Sequence, residues 1–224
     1  IPVVEDNCES FGGKYKGKHL GTIGDVGVLS FDGGKTITTG EGGAIITNNK
    51  KIYDYSNQYH DHGHENNPKL PRGMDTSSIA GFNYRFTQLQ AVFGIEQLKK
   101  LSGLKKDNKK KYNILKKILS KKYDERKIPK FSDPLCDCYI FRVKNLQKRK
   151  KIVNELKKIG IGTKNLPDAI RWHCAYYWKI MIEKKQIKRL KHSLNLLNEH
   201  IAIPIFYLKS QKYYQKIANT IKNL

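Results

Sequence analysis

Lys35 lies in a glycine- and threonine-rich segment, residues 32–43, that follows the apolar run 26–31. A lysine amine becomes a nucleophile when it loses its proton, and it then forms Schiff bases with carbonyl compounds. Glycines on both sides of Lys35 allow the backbone to approach a ligand closely. A flexible hairpin would show the same composition, so this segment alone is a weak signal. It lacks the G-x-x-x-x-G-K-[ST] spacing of a nucleotide-binding P-loop.

Two further polar residues follow apolar runs and could complete a site around Lys35. Asp6 comes just after Val3 and Val4, and Ser30 lies five residues before Lys35. Side chains at the carboxyl ends of sheet strands face the crevice in which open α/β folds bind ligands. Pyridoxal phosphate needs an anion beside its pyridinium nitrogen, and a hydroxyl can bind its phosphate. The alternatives are that Asp6 caps a following turn and that Ser30 is an ordinary strand-end hydroxyl.

The apolar spacing predicts alternating strands and helices, and hence an α/β protein in two parts. Residues 1–105 are predicted to form the later half of an α/β domain, and residues 106–224 a connecting helix with a smaller α/β domain. Thr87 is predicted to cap a helix that continues toward Tyr123. The predicted strands are 3–4, 25–31, 44–47 and 139–143, with an extended segment at 161–164 and a short apolar run at 201–205. The predicted helices are 52–59, 87–101 with its lysine-rich continuation, 147–159, 187–199 and 210–221, and residues 61–81 are predicted to form a long polar loop.

The net charge of +23, from 43 basic and 20 acidic residues, raises the question of a nucleic-acid or membrane partner. Only seven of the basic residues are arginine, the residue that most often reads bases and clamps phosphates. Most of the lysines fall on segments with helical apolar spacing, where they would form solvated faces. We therefore predict neither a nucleic-acid partner nor a membrane partner. A non-catalytic basic binding protein remains the alternative from another functional class.

The four cysteines, Cys8, Cys136, Cys138 and Cys174, include no Cys-x-x-Cys pair. This argues against a zinc or redox site, and without a secretory leader it favours reduced thiols in the cytoplasm. The chain starts at Ile1, and residues 1–105 supply few strands for a parallel sheet. We expect from this that the chain begins inside a domain, binds a cofactor weakly or not at all by itself and is inactive alone. We also expect it to aggregate through an exposed sheet edge.

Several short motifs together resemble the DegT/DnrJ/EryC1/StrS family of sugar aminotransferases, which use pyridoxal phosphate and have fold type I. The resemblance covers most of residues 1–105 in collinear order and is diffuse beyond them. The matching runs are Glu5-Asp6-Asn7-Cys8-Glu9-Ser10-Phe11-Gly12, Gly21-Thr22-Ile23-Gly24-Asp25, Ser30-Phe31 with Lys35, Thr38-Thr39-Gly40-Glu41-Gly42-Gly43, Gly81-Phe82-Asn83-Tyr84-Arg85-Phe86, Leu89-Gln90-Ala91 and Gln97-Leu98.

The resemblance implies a role for each of five residues. Lys35 would form the Schiff base with the cofactor and later move the proton between the substrate carbon and the cofactor. Asp6 would pair with the pyridinium nitrogen, and Glu9 would face the cofactor ring near its phenolic oxygen. Ser30 would bind the phosphate. Asn83 resembles the asparagine that reaches the phosphate in the neighbouring subunit, which implies a homodimer with shared active sites.

The position of Glu9 departs from the family pattern, because most members have glutamine there. A carboxylate at this position resembles the dehydratase branch, but those enzymes replace the lysine with histidine, and this chain keeps Lys35. The resemblance therefore implies transamination of a keto-sugar in polysaccharide or amino-sugar biosynthesis, with glutamate as amino donor. A sugar dehydratase on the same scaffold is the alternative.

The segment 60–68 contains three alternating histidines, which raises the possibility of a metal site. No fourth ligand and no helical spacing are evident, so we predict a polar active-site loop and no metal. Together with residues 71–73 and 162–169, this loop is similar to the corresponding segments of one branch of the family, the 8-amino-3,8-dideoxy-octulosonate transaminases. Enzymes of that branch aminate an eight-carbon keto-sugar acid. In that case Arg72 or Lys164 could bind the substrate carboxylate. The alternative for either residue is a solvated basic side chain.

Overall fold

The computed structural model describes residues 1–162, 174–178 and 180–224, and these residues form two compact units. Unit 1 comprises Ile1–Gly103 with Lys130–Leu135, and unit 2 comprises Leu104–Pro129 with Cys136–Leu224. The sequence placed a division near residue 105. The structure adds a short return of the chain, residues 130–135, to unit 1.

Nine strands and six α-helices occur in the described residues. The strands are β1 (Val4–Asp6), β2 (Lys14–Tyr15), β3 (Lys18–His19), β4 (Val26–Ser30), β5 (Gly43–Ile46), β6 (Asp124–Glu125), β7 (Ser132–Asp133), β8 (Cys138–Arg142) and β9 (His200–Pro204). The helices are α1 (Lys50–Tyr59), α2 (Gln88–Leu119), α3 (Leu146–Lys158), α4 (Lys184–Arg189), α5 (Lys191–Glu199) and α6 (Gln211–Lys222), with a 3-10 turn at Ala175–Tyr177.

The sheet of unit 1 that positions the candidate site has the strand order β1-β4-β5. β1 and β4 are parallel with Asp6 opposite Val28, and β4 and β5 are antiparallel with Ser30 opposite Gly43. The carboxyl ends of β1 and β4 therefore lie at one edge, and the β4–β5 connection that carries Lys35 leaves from that edge. A second small sheet in unit 1 has the order β3-β2-β7.

Side-chain caps begin the two helices that start in unit 1. The Asn49 side chain accepts hydrogen bonds from the Lys51 and Ile52 amides at the start of α1. At the start of α2, the Gln90 amide donates to Thr87 Oγ1 and the Thr87 amide donates to Gln90 Oε1. This reciprocal pair is a capping box with glutamine at its second position, and it confirms Thr87 as the predicted cap.

Unit 2 contains the larger hydrophobic core. Its antiparallel sheet has the order β6-β8-β9, and α2, α3 and α6 pack against it. Burial of these aliphatic and aromatic side chains is the main force that holds unit 2 together. The core side chains that are fully buried include Leu115, Leu119, Tyr139, Phe141, Ile152, Leu156, Ile201, Ile203, Tyr214 and Ile221.

Several predicted elements differ from the structure in detail. The predicted helix 187–199 is two helices, α4 and α5, that meet at Leu190. The β2–β3 hairpin is not among the predicted strands. Of the predicted extended segment 161–164, only residues 161 and 162 are described. Within the described ranges, no helix is long and apolar enough to cross a bilayer.

Candidate active site at the carboxyl edge of the unit 1 sheet

The Lys35 amine contacts a carboxylate oxygen of Glu9. A tight turn places the lysine, because the Gly34 amide donates to Asp32 Oδ1 at 2.6 Å and the Lys35 amide donates to the Asp32 carbonyl at 3.0 Å. The Lys35 side chain is 20% exposed, whereas that of Glu9 is 62% exposed. The amine is therefore largely withdrawn from solvent, and its ion pair is reached from the Glu9 side.

Asp6 lies at the end of β1 and presents an exposed carboxylate close to the same lysine. Hydrogen bonding with Cys8, including its amide at 3.2 Å from Asp6 Oδ1, lowers the pKa of Asp6, and the Lys35 charge lowers it further. Asp6 is thus an anion at neutral pH. Burial raises the pKa of the Cys8 thiol, and Asp6 adds to that effect, so the thiol stays protonated.

Ser30 is the last residue of β4 and is half-buried at the edge that also carries Asp6. Its hydroxyl accepts a hydrogen bond from the Asp32 amide at 3.4 Å. The hydroxyl proton is left for another acceptor, because that contact uses only an oxygen lone pair. Asp6, Glu9, Ser30 and Lys35 therefore belong to one edge of one sheet.

Glu5 has a structural role at the amino end of β4, away from this edge, although the sequence analysis assigned it none. Its carboxylate accepts hydrogen bonds from the amides of Gly21 at 2.8 Å, Ile23 at 2.6 Å and Gly24 at 2.6 Å. Burial raises the pKa of Glu5, but the three amide hydrogen bonds outweigh it and lower the pKa overall. The carboxylate fixes the turn that leads into β4. The glycines of the motif at 21–25 indicate a turn, but the sequence does not show that Glu5 accepts the hydrogen bonds of its amides.

Asn83 and Arg72 belong to a second cluster, on the segment between α1 and α2. Asp61 is 5% exposed and receives both terminal nitrogens of Arg72, at 2.6 and 2.9 Å. Arg85 also reaches Asp61, at 3.4 Å, and its Nε donates to Asn83 Oδ1 at 3.2 Å. Arg72 thus already has a bidentate carboxylate partner within the protein. The predicted contact between Arg72 and a substrate carboxylate stays a prediction, and Lys164 lies outside the described residues.

The histidine-containing loop is held by hydrogen bonds to protein groups. Nδ1 of His64 lies 2.7 Å from Oδ2 of Asp75, and Nδ1 of His60 lies 2.6 Å from the Asn57 carbonyl. Within the part of the chain that the structure describes, no group of three or more His, Cys, Asp or Glu side chains is arranged to hold a metal ion.

Comparisons with known proteins identify relatives of the whole chain. The sequence model of the DegT/DnrJ/EryC1/StrS aminotransferase family matches residues 1–222. GDP-perosamine synthase from Escherichia coli O157:H7 is 38% identical over 118 residues, which are 53% of this chain and 31% of that protein. The chain spans less than half the length of the first curated relatives that it matches.

Solved structures show the same fold. An aminotransferase from Psychrobacter cryohalolentis superposes with a TM-score of 0.79 at 22% identity, over 100% of this chain and 61% of that one. A GDP-4-keto-6-deoxy-D-mannose-3-dehydratase from Escherichia coli with bound hydrated PLP gives a TM-score of 0.79 at 21% identity, over 99% of this chain and 60% of that one. The α/β fold of pyridoxal-phosphate-dependent aminotransferases predicted from the sequence is confirmed.

Proposed function

Because this chain belongs to the DegT/DnrJ/EryC1/StrS aminotransferase family, we propose that it transfers an amino group to a keto-sugar with pyridoxal phosphate as cofactor. The observation that carries the proposal is the cluster of Lys35, Glu9 and Asp6 at the carboxyl edge of the β1–β4 pair. The finer predictions, that glutamate is the amino donor and that the active unit is a homodimer, belong to the same proposal.

The residues of the cluster fit pyridoxal phosphate in the kinds of group that they offer. The cofactor requires an amine for its aldehyde, an anion for its pyridinium nitrogen, and hydroxyl or amide donors for its phosphate. Lys35 supplies the amine, Asp6 an anion within range of the lysine charge, and Ser30 a hydroxyl at the same edge. When bound, the cofactor withdraws electrons from the substrate carbon through its protonated pyridine ring.

Lys35 has two tasks in the proposed reaction. Its amine holds the cofactor, and once released it carries a proton to and from the substrate carbon. Glu9 contacts the amine before either task, so this ion pair must open for Lys35 to act. Asp6 remains an anion throughout, because its lowered pKa keeps it ionised at neutral pH. Ser30 orients the phosphate by donating a hydrogen bond from its hydroxyl group.

A lysine-specific trapping experiment tests the proposal. The protein is incubated with pyridoxal phosphate, reduced with borohydride, digested and analysed by mass spectrometry. We expect a pyridoxyl adduct on Lys35, and we expect it to be lost in Lys35→Arg, which keeps the charge beside Glu9 but cannot form a Schiff base. Lys18→Arg, on the β2–β3 hairpin, is the matched control and should leave the adduct intact. An adduct spread evenly over the surface lysines would refute the proposal.

A sugar dehydratase is the second candidate, and the carboxylate of Glu9 favours it. A dehydratase also occurs among the solved structures that share the fold. Lys35 opposes it, since the dehydratase branch that the sequence resembles has histidine there. Product analysis separates the two: an aminotransferase transfers the nitrogen of glutamate to the sugar and yields an amino sugar. A dehydratase that uses the amine form of the cofactor yields a deoxy sugar without nitrogen and releases the nitrogen of the donor as ammonia.

The substrate within this proposal is a keto-sugar, and the finer prediction is an eight-carbon keto-sugar acid. It rests on the loop at 60–73 and on residues 162–169, of which only residue 162 is described. This prediction is tested by comparing the turnover of a keto-sugar acid with that of the same keto-sugar lacking the carboxylate. If the wild type prefers the acid and Arg72→Gln loses this preference, the predicted contact is supported. An unchanged preference in Arg72→Gln would contradict the contact.

A further inference from the structure

The structure assigns Asp61 and Arg85 as positioning residues: we propose that together they fix the direction of the Asn83 carboxamide so that its Nδ2 group is presented to a phosphate. The inference rests on the proposed function, because the phosphate is that of the cofactor. It concerns two residues, Asp61 and Arg85, to which neither the sequence analysis nor the comparisons gave a role.

The starting point is the burial and charge of Asp61. Its side chain is 7% exposed, and it faces the guanidinium groups of Arg72 and Arg85, which are 52% and 46% exposed. A buried carboxylate needs such partners, because an unpaired buried charge is costly. The hydrogen bond from Arg72 lowers the pKa of Asp61, and the Arg85 charge contributes. Asp61 therefore holds Arg85 in place as an ionised anchor.

Arg85 in turn determines which end of the Asn83 amide faces it. Arg85 Nε lies 3.2 Å from Asn83 Oδ1. A guanidinium group has only donors, so the atom that faces it must be the amide oxygen. The two N–H bonds of Asn83 therefore point away from Arg85. Without the Arg85 side chain, only the Arg85 backbone amide, 3.5 Å from Asn83 Oδ1, would hold the amide oxygen in this direction.

The backbone fixes the position of Asn83 as well. Asp61 and Asn83 form an antiparallel bridge, the His62 amide donates to the Phe82 carbonyl at 2.9 Å, and the Tyr84 amide donates to the His60 carbonyl at 2.8 Å. The segment of Asn83 is thus tied to the end of α1. Asp61 therefore contributes its carboxylate to the side-chain direction of Asn83 and its backbone bridge to the position of Asn83.

The charges around the amide favour an anion. Arg85 shares the Asp61 carboxylate with Arg72, and Asp75 also offsets the charge of Arg72. The guanidinium group that contacts Asn83, that of Arg85, therefore does not have a carboxylate to itself. Amide N–H groups donate to phosphate oxygens, and hydrogen bonds to a charged acceptor are stronger than neutral ones. A neutral or cationic group would gain little at this position.

The test compares the Kd of pyridoxal phosphate with that of pyridoxal, which lacks the phosphate, in absorbance titrations of the protein. We expect Arg85→Met to lower the preference for the phosphate form by about tenfold, the effect of one charge-assisted hydrogen bond, while the Kd of pyridoxal hardly changes. Asp61→Asn keeps the side-chain volume and should lower the preference in the same direction. Thermal unfolding measured in parallel identifies any variant that loses its fold.

A double-variant cycle distinguishes positioning from a general structural effect. Asn83→Leu removes the carboxamide without adding a charge and should lose the preference at least as fully as Arg85→Met. The double variant should lose no more than Asn83→Leu alone, because Arg85 acts through Asn83. His64→Gln breaks the His64–Asp75 contact on the same segment and is the matched control, with no change in preference expected.

The outcomes separate this inference from the proposed function. If the wild-type protein shows no borohydride-trapped adduct on Lys35, the proposed function fails and the inference fails with it. If the adduct forms and the phosphate preference of Arg85→Met and of Asp61→Asn equals that of the wild type, only the inference is overturned. Additive losses in the double variant would also overturn it.

Discussion

Residues 5–9, at the end of β1 and in the turn after it, include three carboxylates that have different partners. Glu5 accepts backbone amides, Asp6 accepts from Cys8, and Glu9 contacts the Lys35 amine. Their order in the sequence gives no sign of this division, since all three are acidic residues near a strand end. The partners decide the roles: Glu5 supports the fold, whereas Asp6 and Glu9 lie beside Lys35 in the proposed active site.

Glu5→Gln tests the supporting role. The variant loses a charged acceptor for three amides, and we expect the free energy of unfolding at pH 7 to fall by about 1–2 kcal/mol, allowing for partial exposure. The pKa of Glu5 is lowered in the folded state from its ordinary value of 4.5. Its contribution is therefore present above that ordinary value and is lost as the pH falls through the folded-state pKa.

Urea unfolding at pH 7 and at a series of acidic pH values measures this difference. Glu183→Gln is the control, because the exposed Glu183 side chain does not cap the helix that follows it. The difference between wild type and Glu5→Gln should shrink as the pH falls. A constant difference from pH 7 to pH 3 would contradict the ionised role of Glu5.

At the scale of the elements, α2 contributes an unusual anchor to unit 2. Lys111 is 2% exposed, and its amine donates to the carbonyls of Phe206 and Tyr207, both at 2.8 Å, and contacts the Asp107 carboxylate one turn earlier. A buried ammonium needs this full set of acceptors. Lys111 therefore ties the middle of α2 to the loop between β9 and α6.

Lys111→Met should be strongly destabilising because it leaves two carbonyls and a carboxylate without their donor. We expect a loss of about 2–4 kcal/mol, below the full value for a buried pair because Asp107 is partly exposed. The double variant Lys111→Met with Asp107→Leu should recover part of the loss, since no charge is then left unpaired. Urea unfolding followed by far-UV circular dichroism measures both. A double variant that is less stable than Lys111→Met would contradict the explanation.

The elements with clear apolar periodicity were predictable from the sequence. β4, β8, α3 and α6 were predicted within two residues of their observed ends. Periodicity succeeds in these cases because each element buries one face. The β2–β3 hairpin was missed because its strands have two polar or aromatic residues each and show no alternation.

Burial of individual charges was not predictable. The lysine-rich stretch of α2 indicated a solvated face, but Lys111 is buried, and Arg149 in α3 is buried with its guanidinium donating to the carbonyls of Leu197 and His200. Those acceptors lie 48 to 96 residues away in the sequence. The Asp61–Arg85–Asn83 contacts were missed for the same reason: motif matching named Asn83, but only three-dimensional packing shows what orients it.

At the scale of the whole molecule, exposed apolar side chains coexist with a net charge of +23. Leu89, Val92 and Phe93 on the first half of α2 are 85%, 63% and 55% exposed. Contiguous apolar surface favours association, while like charges oppose it over a Debye length of about 10 Å at 0.1 M salt. The balance between the two should therefore depend on ionic strength.

We expect the protein to self-associate more strongly as salt is raised, because screening removes the repulsion and leaves the apolar attraction. Leu89→Lys with Val92→Lys should reduce the association at every salt concentration. The comparison is the double variant Lys105→Gln with Lys106→Gln, which removes positive charge and leaves the apolar surface unaltered. This variant should associate more strongly than the wild type. Sedimentation velocity across a salt series measures the effect. Association that weakens with salt would contradict it and indicate attraction between charges.

The uneven distribution of buried side chains should appear in hydrogen exchange. Among the described residues, the continuous hydrophobic core lies in unit 2, whereas β1 in unit 1 pairs with β4 alone and carries the exposed Val4. We therefore expect the amides of β8 and β9 to exchange only through unfolding of unit 2, and those of β1 to exchange faster through local opening.

Leu115→Ala, which removes a fully buried side chain, should lower the free energy of unfolding by about 2–5 kcal/mol and speed exchange in β8 and β9. Val92→Ala, at an exposed position, is the control and should leave the exchange rates of β8 and β9 unchanged. Equal protection of β1 and β8 in the wild type would contradict the link between burial and local stability.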